Sequence, residues 1–325
     1  MLSGASSVPS ITSALIRSAL PAFARVDTIQ IALSPGNQNA RGASTIAAIL
    51  SYLGRPIRVF EDGRWTERPG WSDRRVLDFP PPLGRRAIHV CDVPDLDLFP
   101  SAFGAQTVRF GAGVELDVFN RVLSMLGGMR QRGRLPHLPR HAQLFRWLSL
   151  CLYPFGSKRG ALAVWVRGTA PDGTPIERRA AIVTDDDGPA TPSGPSILLA
   201  RRILDRGALA VGAFPCVGFF TLEELMEHLR PFGVWSASGD EEGWATNNSK
   251  GSVSPTFRFS INALRHSVRS VHNLKHTGVE LRPFLQPGVA RAVLILCLPN
   301  GCGGNFLRLA CSGGASSIEN HRTAS

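Results

Sequence analysis

Two Asp-Gly pairs set the strongest limit on what this chain can fold into. Asp62-Gly63 lies between "RPIRVF" and "RWTERPG", and Asp172-Gly173 lies between "GALAVWVRGTAP" and "TPIERRAAIVTDD". Asp-Gly readily takes the positive φ of a tight hairpin turn, and the flanks carry strand-like patterns, so each stretch reads as an antiparallel hairpin. Further strands are expected at 26–33 ("VDTIQIAL"), 74–79, 86–91 and 105–113 ("AQTVRFGAG"). Helical spacing marks 9–24, with Ile11, Leu15, Ala19 and Leu20 on one stripe, and 43–54, closed by Gly54. It marks 115–133 as well, where Leu116, Phe119, Val122, Leu123 and Leu126 form the expected buried side. Helices at 141–152, 194–206 and 221–230 complete the pattern, the last with Thr221 as cap and Glu223 and Glu224 in its first turn. "DVPDLDLFPSAFG" reads as a short helix or turn. Strands outnumber those of a parallel βαβ series. The expected fold is therefore α+β, a mixed, mostly antiparallel sheet covered by helices.

The chain changes character near residue 234. Two of its three lysines, Lys250 and Lys275, lie beyond that point, Asn, Ser and His become commoner, and periodicity fades. The reading is a domain over 1–234 and an irregular or disordered tail over 235–325. The change in residue usage points to a frameshift or read-through origin for the tail, with a genuine disordered extension as the alternative.

Composition narrows the function classes. With 43% hydrophobic residues and a mean hydropathy of +0.02, the 325 residues suit a soluble protein. The net charge is +11, but arginines occur singly or in pairs with no run of five basic residues, so a nucleic-acid role is not expected. The C-terminal apolar run "ARAVLILCLP" is about half of a membrane span, and no basic stretch precedes an apolar core at the start. A cytoplasmic setting is expected. None of the six cysteines forms a Cys-x-x-Cys pair; Cys91, Cys151 and Cys216 read as small buried hydrophobes, and no metal site is expected.

Catalytic motifs are scarce. "GAGVEL" (111–116) follows a strand and opens a helix, but Leu116 stands where a dinucleotide fingerprint needs its third Gly. His137 and His141 have a zinc-ligand spacing, as do His272 and His276, but Pro136 and Pro139 break the helix that would align the first pair. There is no Gly-x-Ser-x-Gly elbow, and Asp185, Asp186 and Asp187 read as a solvated turn. Three loops are better candidates. "SGASSVPS" offers Gly4, Ser6, Ser7 and Pro9 at a helix start, which suits an anion or carbonyl as well as ordinary capping. "SPGNQNARG" places Asn37, Asn39 and Arg41 between a strand and a helix; Arg41 suits bidentate pairing with a carboxylate, and a solvated loop is the plainer alternative. "PFGSKRG" gives Ser157, Lys158 and Arg159 as a second anion contact or a polar loop. No residue stands out as a general acid or base.

Seven stretches, in order, resemble a known family: "SGASSVPSITSALI", "SPGNQNARGASTIAAILSYLGRPIRVFEDGRW", "CDVPDLDLFP", "TVRFGAGVEL", "YPFGSKRGALAVWVRG", "DDGPATPSGPSILLARRIL" and "GAFPCVGFFTLEEL". Together, over roughly residues 2–232, they are similar to the second domain of bacterial saccharopine dehydrogenase-like oxidoreductases. The resemblance implies a preceding Rossmann domain that binds NAD(P), and a second domain that supplies the substrate side of the cleft and dimer contacts. On that reading this chain is a substrate and dimerisation domain, inactive alone, that binds no cofactor by itself. It would pair as a homodimer, with a separately encoded Rossmann domain as a further partner, on a small-molecule substrate. Its unpartnered face, around 2–12 and 35–42, should then expose apolar surface. Two other readings stand beside it: a non-enzymatic dimerisation or interaction domain, and a basic nucleic-acid-binding protein.

Overall fold

The computed structural model describes residues 1–39, 42–135, 137–186, 188, 190–206, 212–245, 292–296 and 307–311. It divides into two units, one of residues 2–199 and 214–250 and one of residue 1, 200–213 and 251–325. In chain order the elements are β1 (Leu2–Ser3), α1 (Thr12–Ala19), β2 (Arg25–Ser34), α2 (Ala43–Tyr52), β3 (Pro56–Glu61), β4 (Arg64–Pro69), β5 (Arg75–Phe79), β6 (Gly84–Val90), α3 (Asp95–Phe103) and β7 (Thr107–Ala112). There follow α4 (Asp117–Gln131), α5 (Ala142–Cys151), β8 (Gly160–Thr169), β9 (Pro175–Thr184), α6 (Ala190–Arg206), β10 (Phe214–Pro215), α7 (Leu222–Leu229), β11 (Val234–Asp240) and β12 (Gly243–Ala245). The smaller unit contributes an antiparallel pair, β13 (Ala292–Leu296) with β14 (Leu307–Cys311).

The larger unit is built on a sheet ordered β12-β11-β9-β8-β2-β7-β3-β4, with β6 pairing β7 and β5 pairing β6. Within it β2 and β7 run parallel, and the other pairings are antiparallel. The fold is α+β with a mixed, mostly antiparallel sheet. Asp62 (φ 52°) and Gly63 (φ 74°) form the two-residue turn between the paired Glu61 and Arg64. At the second hairpin the ladder ends at Thr169 and Pro175, and the Asp172 carboxylate accepts the Thr174 amide at 2.9 Å and its hydroxyl at 2.6 Å.

One apolar cluster joins Ala32, Ala163, Trp165, Ala181 and Val183 of the sheet to Phe79 and Ile88. A second holds Ile46, Leu50 and Leu53 against Trp71, Leu123 and Leu138, so α2 and α4 share one core. The helix expected over 9–24 is shorter. Val8 is extended (φ −120°, ψ 131°), the regular helix begins at Thr12, and it tightens to a 3-10 turn at Leu20–Ala22, where Pro21 lacks the N–H an α-helix would use. α7 carries the expected cap: Thr221 accepts the Glu224 amide, and the Glu224 carboxylate accepts the Thr221 amide.

Several expectations need correction. The sheet runs past residue 234: all seven residues of β11 pair with β9, and β12 adds a further strand. Beyond residue 245, only β13 and β14 are described, and most of the proposed tail lies outside the described residues. Cys91 and Cys216 are buried, but Cys151 is exposed, because it falls on the outer face of α5. Around residues 2–12 the apolar side chains are not left exposed: Ile11 is fully buried, and Leu2 and Val8 are half-buried. Exposed apolar side chains cluster instead on α4 and α5, where Val122, assigned to the buried side, is 38% exposed.

Candidate functional site

The sheet topology brings three loops to one edge. β2 and β7 are parallel neighbours, so the loops that leave them emerge side by side, and antiparallel β8 begins where β2 ends. The loop after β2 (residues 35–39), the turn between β7 and α4 (113–116) and the loop before β8 (152–159) therefore meet.

Glu115 fastens them together. Its Oε2 accepts the amide of Asn37 at 2.8 Å and that of Ser157 at 2.8 Å, while its Oε1 accepts the Ser157 hydroxyl at 2.7 Å and Arg86 at 3.2 Å. The Glu115 and Arg86 side chains are only 14% and 13% exposed. Burial by itself would raise the pKa of the Glu115 carboxyl. The Ser157 and Asn37 amides, the Ser157 hydroxyl and the Arg86 charge outweigh it and hold the group below its ordinary value. Close approach depends on Gly36 and Gly156. A Cβ on Gly36 would lie 2.4 Å from the Ser157 carbonyl oxygen, and one on Gly156 2.4 Å from Asn37 Cβ.

The sequence-selected polar groups divide around this hub. The amides of Asn37 and Ser157, candidates for a ligand anion, donate to an anion of the chain itself. Asn37 also donates from Nδ2 to the Leu152 carbonyl at 2.7 Å, and Asn39 from Nδ2 to the Lys158 carbonyl at 3.1 Å. Lys158 pairs with Asp186, and Arg159 lies 3.7 Å from Asp185, all four side chains being solvent-accessible. Arg41 and Asp187 lie outside the described residues. Gly4 takes φ +74° and packs on Pro9, where a Cβ would come within 2.4 Å of the ring. Ser6 donates its amide to Gly4 at 2.8 Å and makes no side-chain cap bond, and Ser7 follows it into the turn. α6 lies beside both groups of loops: Gly188, two residues ahead of it, abuts the Asn39 amide, and the Ser196 hydroxyl donates to the Ala5 carbonyl.

The sequence reading missed a second polar cluster on the sheet. Glu61 accepts Arg109 at 2.9 Å and Arg68 at 2.7 Å in a recess that also includes Gln30, Arg75 and His89. His89 is 1% exposed, stacks on Trp71 with ring centroids 5.5 Å apart, and has no hydrogen-bond partner at either ring nitrogen. Burial, with the charge of Arg74 adding to it, lowers its pKa to about 4. Trp71 (φ 63°) and Asp73 (φ 50°) hold left-handed backbone nearby. Sequence offered little signal for this: a His in a strand reads as an ordinary alternating position, and a Trp does not announce a positive φ. Asp95, fully buried in the first turn of α3, has its pKa raised to about 7 chiefly by burial.

The glycines of "GAGVEL" and the His137–His141 pair have local structural roles. In "GAGVEL" a Cβ on Gly113 would lie 1.8 Å from the Ala87 carbonyl oxygen and one on Gly111 2.5 Å from Ile88 Cδ1. These glycines serve the packing of β7 on β6, and Glu115 and Asp117 place carboxylates where a pyrophosphate would need the helix start. His141 closes a 3-10 turn from Leu138, His272 and His276 lie outside the described residues, and no group of three metal-ligating side chains occurs among the described residues.

No protein-family model matches the chain, and no curated protein matches it. Among solved structures it is similar to apo histidine-tagged saccharopine dehydrogenase (L-Glu forming) from Saccharomyces cerevisiae, at 13% sequence identity and a TM-score of 0.48, over 71% of this chain and 70% of that one.

Proposed function

We propose that the larger unit is the substrate-side domain of a saccharopine dehydrogenase-like NAD(P)-dependent oxidoreductase, working as a homodimer. The hydride chemistry belongs to a nicotinamide bound on a separate Rossmann domain, in the same chain or a partner, and the described domain without it is inactive. The observation that carries this reading is the gathering of family-like loops at one edge. The loops holding Asn37, Asn39, Ser157 and Arg159 close on Glu115, and α6 links them to the Gly4–Pro9 turn. Glu115 makes the cradle rigid. Lys158 and Arg159 stand at its solvent-accessible rim, where a substrate carboxylate would compete with Asp185 and Asp186.

A titration tests it. The chain's thermal transition is followed with short amino dicarboxylic acids, and nicotinamide fluorescence with NADH and NADPH. A dicarboxylate-dependent rise in Tm that Arg159→Ala removes, without saturable nucleotide binding, is the expected result. Micromolar NAD(P)H binding would contradict the separate-domain reading, and indifference to every dicarboxylate would remove the substrate-side reading. The second reading, a non-enzymatic interaction domain, is favoured by the apolar side chains that α4 and α5 turn outward.

A further inference from the structure

α5 is amphipathic in an unusual sense, because its larger apolar stripe faces water. Ala142 is buried and Phe145 packs against the core of α2 and α4, so these fix the inward side. Leu144, Trp147, Leu148 and Cys151 follow at helical spacing on the other side, and the first three are 52%, 61% and 38% exposed. The chain then continues the surface with Tyr153 (41%) and Phe155 (68%). A soluble helix normally places such a stripe inward. This stripe lines neither the recess at Glu61 and His89 nor the one at Phe79 and Trp244.

Charge selects the occupant. No acidic residue occurs between Asp117 and Asp172. Arg132, Arg134 and Arg140, in the run that enters α5, are exposed, and no carboxylate pairs with them among the described residues. A second copy docked on this face by two-fold symmetry would offer these arginines no carboxylate from the same stretch. Exposed aromatics need no matching pocket in hydrocarbon, and Trp and Tyr settle well at a lipid–water boundary. From the outward stripe and the acid-free basic run beside it, we propose that α5 and the following turn are a peripheral docking surface for an anionic lipid bilayer. The helix lies in the plane of the interface, its stripe among the acyl chains and the arginines on the headgroups. No helix among the described residues is long and apolar enough to cross a membrane, so the contact is a surface one.

The full chain is sedimented with vesicles of phosphatidylcholine and with equimolar phosphatidylcholine–phosphatidylglycerol. Partitioning is expected to be at least about tenfold stronger on the anionic vesicles and to weaken in high salt. The double variant Trp147→Ser, Leu148→Ser should lose it while keeping the wild-type circular dichroism and melt. A second variant, Arg134→Glu with Arg140→Glu, should lose the anionic preference alone and covers the case in which the first misfolds. No partitioning, or equal partitioning on both vesicles, overturns the proposal. So does sedimentation velocity showing an oligomer in lipid-free buffer that the Trp147→Ser, Leu148→Ser variant dissolves, since the face would then belong to a second copy.

Discussion

Ser157 holds Glu115 by both its hydroxyl and its amide, at 2.7 and 2.8 Å, each bond going to a different carboxylate oxygen. This two-point grip, completed by Asn37 and Arg86, joins the end of β2, the end of β7 and the start of β8. Glu115→Ala removes the acceptor from four donors and leaves the Arg86 charge in a largely closed site. The expected loss is about 3–5 kcal/mol in urea unfolding at neutral pH. The depressed carboxyl pKa gives the sign with pH: its contribution is present above the unfolded value of 4.5 and is lost as pH falls through the folded one. The deficit of the variant should therefore shrink in acid.

His89 and Asp95 should oppose each other. His89, lowered to about 4, stays neutral when folded, so its effect is to increase stability as pH rises from the folded toward the unfolded value of 6.5. Asp95, raised to about 7, keeps its proton when folded, so its effect is to reduce stability as pH rises from 3.8 toward 7. Across the shared window the two proton balances cancel, and the midpoint of urea unfolding should vary little on their account. His89→Phe should expose a decline toward neutral pH and Asp95→Asn a rise, each of roughly 2–4 kcal/mol across the window. Parallel profiles for wild type and both variants would show that neither group titrates as its burial requires.

Gly4→Ala should destabilise the start of the chain without touching the loops at Glu115. Its φ of +74° is unfavourable for Ala, and the new methyl would meet Pro9 Cδ at 2.4 Å. A cost on the order of 1–3 kcal/mol is expected in thermal or urea unfolding. Gly84→Ala, also at positive φ (63°) but with open space around its Cβ position, should cost less.

The cysteines should separate by reactivity. Cys91 Sγ lies 3.0 Å from the Tyr52 hydroxyl, and burial pushes its thiol up to about 11. Cys151 is exposed on α5. At pH 8, peptide mapping after brief iodoacetamide treatment of the native chain should find Cys151 alkylated and Cys91 intact. Alkylation of Cys91 at a comparable rate would show that the Tyr52 pocket opens on that timescale.

The local codes were legible where a few neighbouring residues decide the outcome. Asp62-Gly63 specified its hairpin, Thr221 and Glu224 specified the cap of α7, and the excess of alternating strands specified an antiparallel sheet. Val234–Asp240 was missed because "VWSASGD" has little apolar alternation. It is a strand because the ladder of β9 supplies its hydrogen bonds.

The candidate site was legible only as a set of polar loops. The sequence by itself determined which groups those loops carry and that their glycines permit close backbone contact. The tertiary structure alone decided what the groups face. Asn37, Arg86, Glu115 and Ser157 are far apart in the chain, and the parallel register of β2 with β7, beside antiparallel β8, brings them together. The same holds for α5. Its residues specify an amphipathic helix, but only packing against α2 and α4 decides that Ala142 and Phe145 face the core and Trp147 faces water. Periodicity fixes which side chains share a face, and which face is inward follows from the long-range contacts that close the core.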